Sequence, residues 1–239
     1  MNALVTVAPG LHQLSLGMVN VFLLEHDRQL VLIDTGVPGS EARILDAART
    51  LGRQPQDVRH IVVTHFHPDH AGSLAALQDL TGATTYMHPL DARIVREGLW
   101  RERVVTPAPG FEEMFARVVV AEQAFPRTAV VDEEVLADDV LPIAGGLKVI
   151  HVPGHSAGQI ALLWSEHGGV LFAADAAGNM QGLHDPILFE DAEVGRRSQR
   201  QLAALNFEVA TFGHGDAIRA GAAGVFKRRW GDGAAVPKG

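Results

Sequence analysis

The chain has 239 residues, a hydrophobic content of 47%, a formal net charge of −8 and no cysteine. Such a length and apolar content suit one large core, so residues 1–239 are expected to form a single domain. The acidic balance, with no basic stripe, argues against a nucleic-acid partner, and a chain without cysteine has neither disulfides nor thiolate metal ligands.

The first 24 residues carry no Asp, Glu, Lys or Arg. Pro9-Gly10, Asn20 and the lack of a basic start nevertheless speak against a signal peptide or a membrane segment. No membrane association is expected, and the cytoplasm is the expected location. Strands are predicted through residues 3–36, followed by a helix at 40–51. The β-branched run Ile61-Val62-Val63-Thr64 reads as a buried strand, Ala71 to Leu77 as a helix, and 83–88 as another strand.

Residues 90–127 form an inserted, aromatic-rich connection holding Trp100, Phe111, Phe115 and Phe125. Phe111, Met114, Phe115 and Val118 recur at helical spacing. Two readings stay open: an apolar helix face packed on the domain or on the second subunit of a homodimer, and a lid that supplies a hydrophobic substrate pocket. Beyond it, strands are predicted at 140–143, 147–152, 159–165, 169–175 and 208–213, with a helix near 191–205 and a terminal helix. Lys227-Arg228-Arg229 reads as a solvated helix terminus favoured by its dipole.

The most informative segment is His65-Phe66-His67-Pro68-Asp69-His70. Three imidazoles and a carboxylate on a strand-to-helix turn lie where α/β sheets open their clefts, and alternation lets them point into one cavity. One such tetrad cannot close two metal coordination shells, so further ligands are expected at other strand ends. His155 follows the strand that stops at Pro153-Gly154, Asp175 ends the apolar run from Val170, and His214 sits between Gly213 and Gly215, which permit close backbone approach. Asp34 ends Leu30-Val31-Leu32-Ile33 in the same manner.

A rival reading uses the same residues. Gly154-His155-Ser156-Ala157-Gly158 matches G-x-S-x-G, and Asp175 and His214 follow in the Ser, Asp, His order of α/β-hydrolases. A nucleophile elbow requires the serine to open a helix, however, and the segment after Gln159 reads as a strand. The elbow also leaves His65 to His70 without a role.

Taken together, these residues resemble the five motifs of the metallo-β-lactamase superfamily of metallohydrolases, in order: Asp34, His65/His67/Asp69/His70, His155, Asp175 and His214, spanning about residues 19–218. The resemblance implies an α/β (α+β) fold, a four-layer αββα sandwich of two mixed β-sheets flanked by helices. It implies one metal held by His65, His67 and His155, a second held by Asp69, His70 and His214, and Asp175 bridging them. Asp34 is implied to stand behind the ligands and orient their loop.

Imidazole and carboxylate ligands suit two divalent ions, with Zn2+ first and Fe or Mn as alternatives. A metal-bound hydroxide would attack a carbonyl, since metal binding lowers the pKa of water from 15.7 to roughly 7. Asp69 and Asp175 are the expected catalytic carboxylates. His184 and Phe189, in the loop after Asp175, are candidates for substrate contact, whereas His88 reads as structural beside Pro89.

The expected substrate is a small-molecule ester, thioester or lactone, in the manner of glyoxalase II or the family's lactonases. The chain ends soon after His214, which argues against the helical domain that grips glutathione in glyoxalase II. Family lactonases place a tyrosine beside the metals, and the one tyrosine here, Tyr86, precedes that region. Several zinc β-lactamases carry cysteine where Asp175 stands, which weighs against antibiotic hydrolysis. The alternatives are a mononuclear-iron, sulfur-oxidising enzyme of the same fold, a β-lactamase-like amide hydrolase, and a non-catalytic binding protein.

Overall fold

The computed structural model describes residues 4–100, 105–115 and 126–231. The first half comprises β1 (Leu4–Ala8), β2 (Leu11–Ser15), β3 (Asn20–His26), β4 (Gln29–Ile33), α1 (Glu41–Thr50), β5 (Val58–Val62), α2 (Pro68–Ala71), α3 (Leu74–Thr81), β6 (Thr84–Met87) and α4 (Pro89–Glu97). Two short strands follow, β7 (Thr106–Pro107) and β8 (Glu133–Glu134). The second half holds β9 (Val140–Leu141), β10 (Leu147–His151), β11 (Ile160–Trp164), β12 (Val170–Phe172), β13 (Leu188–Phe189), α5 (Ala192–Ala203), β14 (Val209–Thr211) and α6 (Ala222–Trp230).

Strands β1-β2-β3-β4-β5-β6-β8 form a 7-stranded sheet, and β14-β12-β11-β10-β9 a 5-stranded one. Both sheets are mixed: β1 to β4 pair antiparallel, whereas β4-β5-β6-β8 and β12-β14 pair parallel. Strands buried on both faces read as continuous apolar runs, and their alternation assigns each side chain to a layer. Leu30 and Leu32 of β4 meet Ile44, Leu74, Leu77 and Ile94 on the helical side. Val31 and Ile33 of the same strand face Val149, Leu162 and Phe172 of the second sheet. On the outer face of that sheet, Ile150, Ala161 and Leu171 pack on Leu202 and Phe226 of α5 and α6. These three apolar interfaces separate four layers in the order α, β, β, α.

The expected elements recur with shifted ends, and the shifts have physical causes. The helix expected over Ala71 to Leu77 is divided at Gly72-Ser73, where Gly72 N donates to Gly36 O at 3.0 Å, and the close approach of Pro38 requires glycine, since a Cβ on Gly72 would lie 2.5 Å from Pro38 Cδ. The Ser73 hydroxyl meanwhile donates to Val37 O at 2.7 Å and accepts from Ser40 N at 2.8 Å. The strand expected over 169–175 stops at Phe172, and Asp175 lies in a 3-10 turn, Ala174–Ala176, entered through Ala174 at φ 49°.

The described part of the connection at 90–127 contains regular elements. Its first part is α4, whose Ile94 and Val95 are core residues together with Trp100. Its next part forms β7, which pairs with β13. Phe115 N bonds to Phe111 O at 2.8 Å, as the helical spacing predicts; Val118 and Phe125 lie outside the described residues. Among the described residues, no helix is long and apolar enough to cross a membrane.

Candidate metal centre

The topology brings five loops to one end of the sandwich. Asp34 follows β4, the His65 to His70 segment follows β5, His155 follows β10, Asp175 follows β12 and His214 follows β14. Parallel pairing within each sheet puts these carboxyl ends side by side. Two backbone bonds then join the sheets there, Ile160 N to Thr64 O at 2.9 Å and Asn20 N to Gly213 O at 2.8 Å. Pro68 opens the one-turn helix α2 with His67 as its N-cap, so Asp69 and His70 project within a single turn.

Seven side chains converge. His67 Nδ1 is 2.8 Å from His155 Nε2, which is 3.2 Å from His65 Nε2. His70 Nε2 is 3.5 Å from Asp175 Oδ1 and 3.8 Å from Asp69 Oδ2. His214 Nε2 is 3.1 Å from Asp175 Oδ2 and 3.4 Å from Asp69 Oδ2. Ligand-type atoms thus fall into overlapping groups, His65/His67/His155, His65/His70/Asp175 and Asp69/His70/His214, each within 4.8 Å.

This donor set fits a divalent cation on two observations. His70 Nε2 and Asp175 Oδ1 are buried with no hydrogen-bond partner, although buried polar atoms are ordinarily satisfied. The remote ring nitrogens, by contrast, are held: His70 Nδ1 by Asp34 Oδ2 at 2.8 Å, His155 Nδ1 by Leu188 O at 2.9 Å, and His214 Nδ1 by Met18 O at 2.6 Å. Such outer partners turn the free nitrogen inward, as around metal-ligating histidines.

Electrostatics divides the cluster in two. Burial, reinforced by the neighbouring imidazoles, pushes His65 well below the usual histidine value, and burial together with His155 takes His67 down to about 3. Burial likewise lowers His155. Burial acts against charge on His70 and His214 as well, but Asp175, Asp69 and Asp34 hold His70 well above its ordinary value, and Asp175 and Asp69 raise His214 to about 10. Asp69 and Asp175 lie below the usual carboxylate range, since His70 and His214 outweigh the effect of burial. Three neutral lone-pair donors therefore stand beside two carboxylates, an arrangement in which a cation can take the place of the imidazolium protons.

Glycines make the approach possible. A Cβ on Gly213 would lie 2.0 Å from Asp175 Oδ1 and 2.6 Å from His70 Cε1, and one on Gly154 would lie 2.2 Å from Gly195 Cα. Ser156 is no nucleophile: it is 0% exposed and donates to Asp91 Oδ2 at 2.7 Å, and the chain after Gln159 continues as β11. The elbow reading is thereby excluded.

The remaining sequence candidates part ways. Asp34 stands behind the cluster as expected, accepting from Thr64 N and Thr64 Oγ1 at 2.7 and 2.9 Å in addition to its contact with His70. His184 is half-buried against the Phe111 ring, with centroids 5.1 Å apart. Phe189 is 3% exposed and lies where a Cβ on Gly195 would meet its ring at 2.4 Å, so it packs on α5 and does not face open space. The Tyr86 hydroxyl is hydrogen-bonded to His60 Nδ1 at 3.1 Å. His88 is structural, capping α4 and stacking on His151.

Sequence reasoning missed Asp91 and the carbonyls of Leu188 and Met18. A carbonyl leaves no mark in a sequence. Asp91 did leave one, since Ser156 and Gly158 of the serine-like motif exist to meet it.

The profile of the metallo-beta-lactamase superfamily matches residues 14–214. The chain belongs to that superfamily. It is 27% identical over 229 residues to a probable metallo-hydrolase, YflN, of Bacillus subtilis (strain 168), covering 87% of this chain and 84% of that one. It is 23% identical over 235 residues to an N-acyl homoserine lactonase of a Bacillus species, covering 81% and 79%. A HARLDQ-motif mutant of the metallo-beta-lactamase from Cronobacter sakazakii superposes with a TM-score of 0.70 at 23% identity, covering 88% of this chain and 79% of that one, a likeness that concerns the fold alone.

Proposed function

We propose that this superfamily member is a dinuclear metal-dependent hydrolase, with zinc the leading candidate, that cleaves a small-molecule ester, thioester or lactone. The observation that carries this reading is the convergence of His65, His67, Asp69, His70, His155, Asp175 and His214 from both sheets, with His70 Nε2 and Asp175 Oδ1 buried without a hydrogen-bond partner. His65, His67 and His155 would hold one ion, Asp69, His70 and His214 the other, and Asp175 would serve both.

When bound, such ions supply a Lewis acid for a carbonyl oxygen and a water of lowered pKa. The protein does the rest. His67 and Asp69 are the half-exposed members of the cluster, while His65, His70 and His155 are buried, so substrate reaches the site past His67 and Asp69. Asp69, ionised beside His70 and His214, would accept a hydrogen bond from the attacking water and orient it; Asp175, buried between His70, His155 and His214, keeps their rings in register. Phe111 and His184, in mutual contact, supply an apolar wall for the substrate. Kinship with a named metallo-hydrolase supports hydrolysis and kinship with a named lactonase supports a carbonyl substrate, while the chain's one tyrosine, Tyr86, is hydrogen-bonded to His60.

The test is elemental analysis of the purified protein, read beside turnover of a panel of lactones, thioesters and esters. About two zinc ions per chain with turnover of a panel member is the expected result. One iron per chain, or full metal without turnover of any member, would overturn the reading.

A further inference from the structure

A second buried carboxylate stands behind the cluster, outside the five motifs that carry the ligand-type side chains. Asp91 is 0% exposed in the first turn of α4. Its Oδ2 accepts from Phe66 N at 3.0 Å and from Ser156 Oγ at 2.7 Å, and its Oδ1 accepts from Gly158 N at 2.7 Å. Phe66 lies between His65 and His67, and Ser156 follows His155. One carboxylate therefore fastens together the two loops that carry the first group of imidazoles, although these loops belong to different sheets.

The surroundings are built for this contact. A Cβ on Gly158 would lie 2.4 Å from Asp91 Oδ1, so this position requires glycine. His88, the N-cap of α4, stacks on His151 with centroids 4.2 Å apart and planes 9° from parallel, and His151 Nε2 is hydrogen-bonded to Ala157 O at 2.9 Å. The start of α4 is thus docked along the whole turn from His155 to Gly158. Asp34 does not duplicate this work: its bonds reach Thr64 and His70, and none of them reaches the His155 loop.

We infer that Asp91 is a positioning residue that sets the distance between His65/His67 and His155, and so governs the affinity of that half of the centre alone. The inference rests on the metal reading above. A bound ion tolerates little error in ligand spacing, and carboxylates that orient ligands typically change metal affinity about 10- to 100-fold when altered.

Zinc affinities measured by competition with a chromophoric chelator, together with thermal unfolding, test it. Asp91→Asn keeps the shape but sets an amide against three donors. It is expected to weaken one of two zinc equivalents about 10- to 100-fold and to leave the other within about threefold. In the His155→Ala background, which has already lost that half, Asp91→Asn should change the remaining equivalent no further.

Equal weakening of both equivalents, or unchanged affinities in a folded Asp91→Asn protein, overturns the inference. If Asp91→Asn does not fold, Ser156→Ala removes the hydroxyl bond to Asp91 and should produce a smaller loss confined to the same equivalent; unchanged affinities there overturn it equally. A wild-type chain that takes up no zinc overturns the metal reading itself, an outcome distinct from a wild-type chain with two equivalents that Asp91→Asn leaves intact.

Discussion

Asp34 Oδ2 lies 2.8 Å from His70 Nδ1 across 36 positions of sequence, with both side chains buried. Asp34 makes this contact from φ 63°, a backbone region that few residues other than glycine adopt and that carries strain. The strand β4 and the Thr64 bonds hold it there. Asp34→Asn keeps the size and tolerates the backbone, but it sets an amide where three donors expect an acceptor. We expect metal affinity to fall about 10- to 100-fold and unfolding free energy to fall by about 1–3 kcal/mol. Metal competition and urea unfolding would check both, and a variant with wild-type metal affinity would remove Asp34 from the site.

Ligand removal has a different signature. His65→Ala and Asp175→Ala each delete a donor shared by two of the overlapping groups or placed between them. Both variants should lose bound metal and hydrolysis while far-UV circular dichroism stays close to that of the parent, because neither side chain belongs to the three apolar interfaces. Either variant retaining full metal content and activity would be incompatible with the proposed centre.

Acid should weaken the fold through His88. Burial, with His151 stacked on it, lowers this ring to about 4 against an ordinary 6.5, and Glu134 only partly opposes the shift. The folded pKa lies below the unfolded one, so the unfolded chain binds the proton first. The stability contribution is therefore complete above pH 6.5 and is lost as pH falls towards 4. Asn is a good N-cap without a titration, so His88→Asn should lack this share of the acid sensitivity, at most about 1.4 kcal/mol per pH unit. Urea midpoints of both proteins at pH 7.5 and 4.5 decide it, and parallel losses in the two would discard the assignment.

The aromatic connection offers a kinetic test. Phe111 touches His184, and the β7 strand just before it pairs with β13, whose Leu188 carbonyl holds His155. Phe111→Ala should alter relative kcat/KM across substrates of different acyl size more than it alters thermal stability. A drop in Tm with preference unchanged would mark Phe111 as ordinary packing.

Both the layers and the side chains that converge at their edge were legible in the amino-acid sequence. Leu30 to Ile33 and Leu147 to Ile150 read as strands because burial on both faces demands apolar side chains at consecutive positions. His65, His67, Asp69 and His70 were legible because one turn brings them together whatever surrounds it. The helix break at Gly72-Ser73 was not, since Gly36 and Val37, whose carbonyls take the Gly72 N–H and the Ser73 hydroxyl, come from a distant segment.

By itself, then, the sequence determined which side chains are able to bind a cation and which segments form strands, because side-chain chemistry and alternation are local properties. Only the tertiary structure decided how those side chains are held. Asp91 reaching Phe66, Ser156 and Gly158, Leu188 O facing His155, and Met18 O facing His214 all depend on two sheets meeting at one edge. The same packing set Phe189 against Gly195 and buried Ser156 on Asp91, because a glycine gap and a hydrogen-bond acceptor from other segments meet them there.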